Sequence, residues 1–398
     1  MKTSTFSQEA PRHGQFSSIF SQLLTIFSRA DFERAVKKHK ADRAAKGFDC
    51  WTQFVSMLFC QVGRAHSLRE ICGGLASVEG KLNHLGVGNA PARSTLSYAN
   101  AHRPYALFEE VFGQLLERCR SLAAPKPFRF KNKLYSLDAT VIDLCLSAFD
   151  WAKFRRTKGA IKLHLLLDHD GCLPCYGVIT EGKTQEIRVA RTLEWPPGSI
   201  VVMDRGYVDY GFLDSLEDRR VFFVTRLKEN AAFSVEAEIS ASKGNIRADQ
   251  MISLPGSGKN AKALRLFRRV VVWDEARERE IVLLTNNLKL AASTIAAIYK
   301  ARWQIELFFK SIKQNLKIKT FVGTSPNAVR IQIWTALMAI LLLKYLQMRS
   351  RLVWSLSNLL ALLRLNLFVH RDLWAWVDQP FAPPPQPPTA VQTTLTFG

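Results

Sequence analysis

The chain has 398 residues, of which 47% are hydrophobic, so it can bury a sizeable core of two or three domains and is not a disordered protein. Its formal net charge of +21 far exceeds what solubility requires and favours a polyanionic partner, nucleic acid before membrane. A solvated basic surface without such a partner is the alternative explanation of the charge.

The N-terminal sequence and the cysteine content both indicate a protein of a reducing compartment. The first residues, MKTSTFSQEAPRHG, lack the charged and apolar runs of a secretory signal, so we expect a cytoplasmic protein, associated with the nucleoid when bound to DNA. The most apolar segment, residues 331–343, is too short to span a bilayer and is predicted to be a buried helix. Seven cysteines favour reduced thiols, and the C-x-x-C pair of Cys172 and Cys175 lacks the second pair of a zinc site.

The N-terminal third is predicted to be helical. Residues 1–22 are polar and expected to be flexible, and residues 23–128 are typical of helices separated by glycine-bearing turns. A capping box, Ser67-Leu-Arg-Glu70, begins one helix, and small polar and basic side chains dominate another at residues 93–103. Such helices could present a recognition helix to a DNA groove, but any small helical bundle has the same pattern. DNA-end binding and plain scaffolding are therefore both open interpretations.

After the Pro125-Lys-Pro127 break the hydrophobic period changes to that of strands, so residues 129–228 are predicted to form the first part of an α/β core. The predicted strands span residues 134–144, 161–167, 173–179, 199–203 and 221–225. The turn signal Asp168-His-Asp-Gly171 makes the second and third of them a hairpin. In the first strand, Asp138 and Thr140 lie on the same side of the pleat.

Residues 229–285 interrupt this order and are predicted to be a β-rich insertion with a turn at residues 255–258 and strands at 264–273 and 280–284. Its Gly-Ser-Gly-Lys run is not a phosphate-binding loop, because Ser253 and Asn260 stand where that motif needs Gly and Ser or Thr. The remaining predicted segments are the second part of the core at residues 286–346, C-terminal helices at 347–378 and a Pro-rich tail at 379–398.

Glu306 is the one acidic residue within residues 281–371, a stretch that contains thirteen lysines and arginines. A solvated helix face normally mixes both signs of charge, so this isolation indicates a function. At helical spacing, four side chains fall within an arc of roughly 60°: Tyr299, Arg302, Glu306 and Lys313. A neighbouring apolar stripe would face a core; it comprises Ile298, Ile305, Phe309, Ile312 and Leu316.

Three carboxylates occupy distinctive places in this order: Asp138 in the first strand, Asp204 at the end of a later strand, and Glu306 on the following helix. Hard Mg²⁺ or Mn²⁺ ions prefer such oxygen ligands, and a pair of them supports phosphoryl transfer, while nearby lysines and arginines bind the DNA backbone. Taken singly, Asp138 could be a polar edge position, Asp204 a helix cap, and Glu306 a salt-bridge partner of its helix neighbours. Together they favour a catalytic site, ahead of the rival ligands Asp143 and Asp209.

The helix pattern resembles the Y-R-E-K signature of bacterial DDE transposases of insertion sequence family four, matched in full by Tyr299, Arg302, Glu306 and Lys313. Leu137-Asp-Ala-Thr140 resembles the first-aspartate motif of that family, with Ala139 where many members have Ser. Asp204-Arg-Gly-Tyr207 resembles its second-aspartate motif. The similarity covers residues 25 to 346 and is most specific in the catalytic part.

The resemblance implies an RNase H-like mixed-sheet core in which Asp138, Asp204 and Glu306 bind two Mg²⁺ ions, with Mn²⁺ as a substitute. It also implies cut-and-paste transposition by a dimer that binds double-stranded DNA at paired terminal inverted repeats. The side chains expected to contact DNA are Tyr299, Arg302, Lys313, Lys310 and Arg205. Two alternatives are a nuclease that cuts without joining and a DNA-binding protein without catalysis; no membrane partner is expected.

Overall fold

The structure is a computed structural model that describes residues 16–43, 47–78, 80, 82–155, 158–240, 243–254, 265–316, 318 and 320–382. The predicted turn at 255–258 and its Gly-Ser-Gly-Lys run lie outside these residues. So do most of the predicted flexible N-terminus and of the Pro-rich tail.

Six helices precede the first strand of the described chain: α1 (Ile19–Leu24), α2 (Arg29–Lys38), α3 (Cys50–Val62), α4 (Leu68–Ala76), α5 (Arg93–His102) and α6 (Ala106–Arg120). Helix α1 begins within the predicted flexible segment, whose boundary at residue 22 therefore falls inside a helix. The predicted capping box is present, because Ser67 Oγ accepts from Glu70 N at 3.2 Å and Glu70 Oε2 accepts from His66 N at 2.8 Å. The helical N-terminal region is thus confirmed.

A mixed sheet of ten described strands forms the centre of the chain: β1 (Leu134–Leu144), β2 (Lys153–Arg155), β3 (Lys158–Asp168), β4 (Leu173–Glu181), β5 (Ile200–Met203), β6 (Phe222–Arg226), β7 (Ser234–Glu238), β8 (Ile246–Leu254), β9 (Arg265–Asp274) and β10 (Arg279–Thr285). The strand order is β2-β3-β1-β5-β6-β10-β9-β8-β7, and β4 also pairs with β3. Strands β1, β5 and β6 are parallel, and the other pairings are antiparallel. Strands β7 to β10 of the predicted insertion therefore extend the same sheet beyond β6.

Helices cover both faces of the sheet, which explains the continuous apolar runs of β5 and β6. Helices α7 (Glu186–Thr192) and α8 (Tyr210–Asp218) pack on the face that contains Leu137 and Val201. Helix α9 (Ala292–Ala301) packs on the face that contains Leu134 and Val202.

The predicted single helix around Glu306 is two helices, α9 and α10 (Trp303–Asn315), which are divided at Arg302. The predicted apolar stripe is buried throughout but is shared between two cores. Ile298 on α9 belongs to the sheet core, whereas the members of the stripe on α10 belong to the helical core. Because the two helices are separate, α9 packs in the sheet core and α10 in the helical core, while the polar stripe on both of them faces β1.

Three described helices follow: α11 (Pro326–Arg349), α12 (Leu356–Asn366) and α13 (Leu373–Asp378). The buried helix predicted at residues 331–343 is confirmed, and it is part of the 24-residue helix α11, which extends beyond the apolar segment at both ends. By length and composition α11 could cross a membrane, but 83% of its most apolar window is buried inside the protein. It packs against α3 and α6, with the rings of Phe112 and Trp334 5.1 Å apart, so the N-terminal and C-terminal helices share one core.

Candidate active site

The strand register brings Asp138 and Asp204 side by side. Strands β1 and β5 run parallel, and their last paired residues are Leu137 and Met203. Asp138 and Asp204 are the next residues on the two chains, and adjacent strands lie about 4.8 Å apart. Two carboxylates distant in sequence therefore meet where β5 ends.

Asp204 begins a short 3-10 turn, Arg205–Tyr207, and caps it: its Oδ1 accepts from Arg205 N at 2.7 Å. Its carbonyl oxygen accepts from Thr225 Oγ1 at 3.2 Å, which ties the turn to β6. The capping role considered from the sequence is therefore real. It uses one carboxylate oxygen and fixes the aspartate at the end of its strand.

Glu306 reaches the same place from α10 through Arg302. Arg302 Nη2 donates to Glu306 Oε1 at 2.7 Å, and Arg302 Nη1 lies 3.9 Å from Asp138 Oδ2. The Arg302 side chain is only 13% exposed. One guanidinium group thus bridges the acid of the helix and the acid of the first strand.

Asp138 and Glu306 line an open cleft of about 420 Å³. The other residues of its wall are Ala139, Thr140, Phe309, Lys310, Lys313 and Gln314. The cleft wall therefore contains two of the three predicted catalytic residues. The third, Asp204, lies outside this wall but beside Asp138 because of the strand register. A larger cleft of about 790 Å³, which includes Phe32, Lys37 and Trp51, contains none of them.

Asp138 has an altered acidity. Burial raises the pKa of its carboxyl group to about 6, and the charges of Glu186 and Glu306 act in the same direction. The hydrogen bond from Ala139 N, 2.8 Å, and the charge of Arg302 oppose this shift without cancelling it. Burial therefore disfavours the charged form of Asp138 more strongly than its hydrogen bond and the neighbouring arginine favour it.

The donor chemistry suits Mg²⁺ or Mn²⁺, because all three groups offer hard carboxylate oxygens. Among the described residues, however, no three acidic, histidine or cysteine side chains form a preassembled metal cluster. The position of Arg302 gives the physical reason. Its guanidinium lies between two of the proposed ligands, so these carboxylates can share a cation only after Arg302 moves.

The basic and aromatic residues predicted to contact DNA surround this place, and four of the five also have partners within the protein. Tyr299 lies under the Arg302 guanidinium, 5.6 Å from ring centroid to Cζ. Lys313 Nζ donates to the carbonyl oxygen of Val141 on β1 at 2.9 Å, and Lys310 is an exposed side chain of the cleft wall. Arg205 is half exposed and pairs with Glu229 at 3.1 Å.

The two rival ligands have other surroundings. Asp143 is exposed on the opposite side of β1 from Asp138. Asp209 caps α8 by accepting from Phe212 N at 2.9 Å and pairs with Arg191 at 2.7 Å. Sequence reasoning assigned no role to Glu186, whose charge acts on Asp138; an acid at the start of a short helix carries no signal that distinguishes it from a helix cap.

Comparison with known proteins agrees with this geometry. A family model described as a transposase DDE domain matches residues 129–342, and a domain of unknown function (DUF4372) matches residues 15–88. A Sinorhizobium fredii protein named as a transposase is 33% identical over 324 residues, which are 80% of this chain and 88% of the relative. A Geobacillus stearothermophilus protein named as the transposase of an insertion sequence element is 29% identical over 64% of this chain and 67% of its own.

A solved piggyBac transposase synaptic complex with hairpin DNA aligns over 92% of this chain and 81% of its own at 8% identity, with a TM-score of only 0.37. The family model and the sequence relatives confirm the transposase family predicted from the motifs. This chain belongs to the DDE transposase family, whose members are DNA-cleaving and strand-transferring enzymes.

Proposed function

We propose that this protein is an insertion sequence transposase of family four that binds terminal inverted repeats and moves its element by Mg²⁺-dependent, cut-and-paste transposition. The observation that carries the proposal is the meeting of Asp138, Asp204 and Glu306. The parallel pairing of β1 with β5 places Asp138 beside Asp204, and Arg302 links Glu306 to Asp138. The strand order with three central parallel strands supports an RNase H-like core.

Asp138, Asp204 and Glu306 would hold two divalent ions, which supply activation of the attacking oxygen and stabilisation of the leaving oxygen when bound. The chain's own basic groups then have a separate task. Lys310 and Lys313 lie in the wall of the cleft beside Asp138 and Glu306, where they can bind phosphates next to the bond that is cut. Tyr299 and Arg205 border the same place from α9 and from the turn after Asp204.

Arg302 would change partner during the reaction. In the described conformation it contacts Glu306 and Asp138. Burial lowers the pKa of its guanidinium, but Glu306, Tyr299 and Asp204 raise this pKa by more, so the net shift is upward. If divalent ions occupied these carboxylates, the Arg302 guanidinium would lose its partners there and could bind a DNA phosphate through two N–H groups. This exchange couples ion binding to DNA binding.

The helical N-terminal region, residues 23–128, would bind the element ends, and the protein would act as a homodimer on paired ends in the cytoplasm, at the nucleoid. Helix α5 supports the first point. Its exposed face carries Arg93, Ser94, Thr95 and Tyr98, and the Tyr98 ring is 67% exposed and stacks on His102 with centroids 4.0 Å apart. Helix α5 contains no acidic residue that would repel a phosphate.

The test uses the full chain, Mg²⁺ and a plasmid that carries both ends of the genomic element. Asp138→Asn, Asp204→Asn and Glu306→Gln should each reduce end cleavage at least about 10³-fold, since each removes a charge required in the transition state. Asp143→Asn on the same strand should retain activity. Binding of the ends, measured by gel shift, should be preserved in all four variants.

Loss of folding in the three catalytic variants, or full cleavage by any of them, would refute the catalytic assignment. Joining separates transposition from the nuclease alternative. Plasmids in which the element ends are covalently attached to target DNA identify a transposase, whereas linear products alone identify a nuclease that cuts without joining.

A further inference from the structure

Glu186 lies beside the two catalytic aspartates. It is the first residue of α7, and a methyl group placed on Gly206 would be 3.6 Å from Glu186 Oε2. Gly206 belongs to the turn that Asp204 begins, so the Glu186 carboxylate rests against this turn at its one position without a side chain. Its negative charge also acts on Asp138. Glu186 is therefore close to both strand-end carboxylates.

The position of Glu186 is fixed by Lys162. Lys162 Nζ on β3 lies 3.2 Å from Glu186 Oε1 and donates to the carbonyl oxygen of Thr184 at 3.0 Å. The lysine side chain is 13% exposed and that of the glutamate 33% exposed. The pairing uses Oε1, and Oε2 is the oxygen next to Gly206. The carboxylate is thus held at one oxygen and presents the other to the turn.

The hydroxyl group of Tyr207 provides independent evidence for a ligand at this place. Tyr207 is 1% exposed, and within the described part of the chain its hydroxyl has no hydrogen-bond partner. Burial raises its pKa, and the charges of Asp138, Glu186 and Asp204 raise it further, so the hydroxyl is within electrostatic reach of all three. An unpaired buried hydroxyl costs about 1–3 kcal/mol, and a water molecule bound to a cation at this place would complete its hydrogen bonding.

We propose that Glu186 is a fourth carboxylate of the active site, which binds a hard divalent cation together with Asp138 and Asp204. Lys162 holds it in position. The inference rests on the proposed Mg²⁺-dependent function. Two octahedral ions require many oxygen ligands, and a fourth carboxylate supplies both ligand atoms and charge. Lys162 neutralises Glu186 while the cation is absent, as Arg302 does for Glu306.

The experiment measures Mn²⁺ binding to the full-length, DNA-free protein by electron paramagnetic resonance titration. Glu186→Gln should weaken Mn²⁺ binding about tenfold, the size of effect expected for a group that holds or orients a metal. Glu194→Gln, at an exposed position shortly after α7, is the matched control and should bind Mn²⁺ like the unmodified protein. Mn²⁺ affinity unchanged in Glu186→Gln would overturn the inference.

Lys162→Met separates metal binding from a purely structural salt bridge. If Glu186 binds the cation, removal of its competing ammonium group leaves Mn²⁺ affinity at least as high as in the unmodified protein. If Glu186 matters only through the salt bridge, Lys162→Met weakens Mn²⁺ binding as Glu186→Gln does, and the inference is wrong. If Glu186→Gln does not fold, a loss of Mn²⁺ affinity in Lys162→Met still overturns the inference, and a gain supports it.

Asp138→Asn keeps this inference distinct from the proposed function. Retained Mn²⁺ affinity in Asp138→Asn would overturn the proposed metal site itself. Loss of Mn²⁺ binding in Asp138→Asn together with full binding in Glu186→Gln would overturn the role of Glu186 alone. Loss of Mn²⁺ binding in both variants supports both the proposed metal site and the role of Glu186.

Discussion

Arg302 Nη2 lies 2.7 Å from Glu306 Oε1, and the same guanidinium approaches Asp138 Oδ2 at 3.9 Å. The first contact is local, since it joins residues four apart at the start of a helix. The second crosses from the helix to β1. The Arg302 guanidinium is therefore the cation that holds the two proposed catalytic carboxylates in place, and this arrangement would oppose entry of a metal ion.

Arg302→Gln should therefore destabilise the metal-free protein and increase its response to Mn²⁺. The change leaves two carboxylates without their shared partner, and we expect the free energy of unfolding to fall by about 1–3 kcal/mol. Mn²⁺ then stabilises the variant more than the unmodified protein, because the ion no longer competes with the guanidinium. The measurement is the melting temperature with and without Mn²⁺.

The matched control for this prediction is Arg330→Gln. The Arg330 guanidinium stacks on Tyr105, 4.9 Å from the ring centroid. The control variant therefore removes an arginine whose contact is with an aromatic ring instead of with the two carboxylates. Its Mn²⁺-induced shift should equal that of the unmodified protein. An equal shift in Arg302→Gln would mean that the arginine does not compete with the ion.

Lys313→Met should weaken DNA binding while leaving the fold intact. The lysine stem lies between α10 and β1 and ends in a hydrogen bond to Val141 O at 2.9 Å, so methionine retains most of the packing and removes the charge. We expect the slope of the logarithm of the binding constant against the logarithm of salt concentration to decrease by about one, the contribution of one phosphate contact. Lys313→Glu should weaken binding further.

Lys289→Met, an exposed position before α9, is the control for charge alone. It should leave the salt slope unchanged. The same loss of slope in both variants would indicate a general effect of net charge on DNA binding and would remove the specific role of Lys313.

The sequence was sufficient for seven of the ten described strands and for the order of the three carboxylates, because both depend on local periodicity and on motifs; β2, β7 and β8 were not predicted. It was also sufficient to suggest the Arg302–Glu306 pair, whose spacing is that of one helical turn. The approach of Arg302 to Asp138 depends on how α10 lies against β1, which no local pattern encodes. The same holds for Glu186, which is near the aspartates only through the packing of α7 against the turn after Asp204.

Helix boundaries and domain grouping were harder to predict for a related reason. The pattern around Glu306 fits one continuous helix, and only tertiary contacts reveal the division at Arg302. Helix α11 extends beyond its apolar segment, to Pro326 and to Arg349, and a polar residue of this extension is satisfied in the fold: Gln347 Nε2 donates to Trp354 O at 2.6 Å. A buried helix can extend well beyond its apolar segment when such partners exist.

A buried ion pair connects the extended part of the sheet to the glutamate helices. Arg268 on β9 donates to both oxygens of Asp249 on β8, at 2.7 and 2.8 Å, and both side chains are almost fully buried. Arg268 also donates to the carbonyl oxygen of Leu290, at 2.6 Å, just before α9 begins. The position of α9 therefore depends on this pair.

Arg268→Met should cost about 3–5 kcal/mol, because it leaves the Asp249 charge buried and unpaired. The double variant Arg268→Met with Asp249→Leu should recover part of that loss, as measured by urea unfolding. A double variant that is no more stable than Arg268→Met alone would contradict this explanation. The exposed pair Arg277 and Asp274 is the comparison, and its removal should change stability by less than about 1 kcal/mol.

Buried histidines near the carboxyl end of β3 should make the protein sensitive to acid. His169 is 5% exposed, its Nε2 lies 2.7 Å from Ser136 Oγ, and burial lowers its pKa from 6.5 to about 4. The unfolded chain therefore binds a proton below pH 6.5 that the folded chain excludes until about pH 4. The stabilisation is complete above pH 6.5 and is lost as the pH falls toward 4, by on the order of 3 kcal/mol.

His169→Gln should remove this part of the pH dependence, because a carboxamide can bond to Ser136 Oγ but does not titrate. We expect a shallower decline of the free energy of unfolding between pH 6.5 and 4, measured by urea denaturation at several pH values. His164, whose pKa burial also lowers to about 4, remains in the variant, so part of the decline persists. His66→Gln, at an exposed histidine, should leave the slope as it is, and an equally steep decline in His169→Gln would show that the acid sensitivity arises elsewhere.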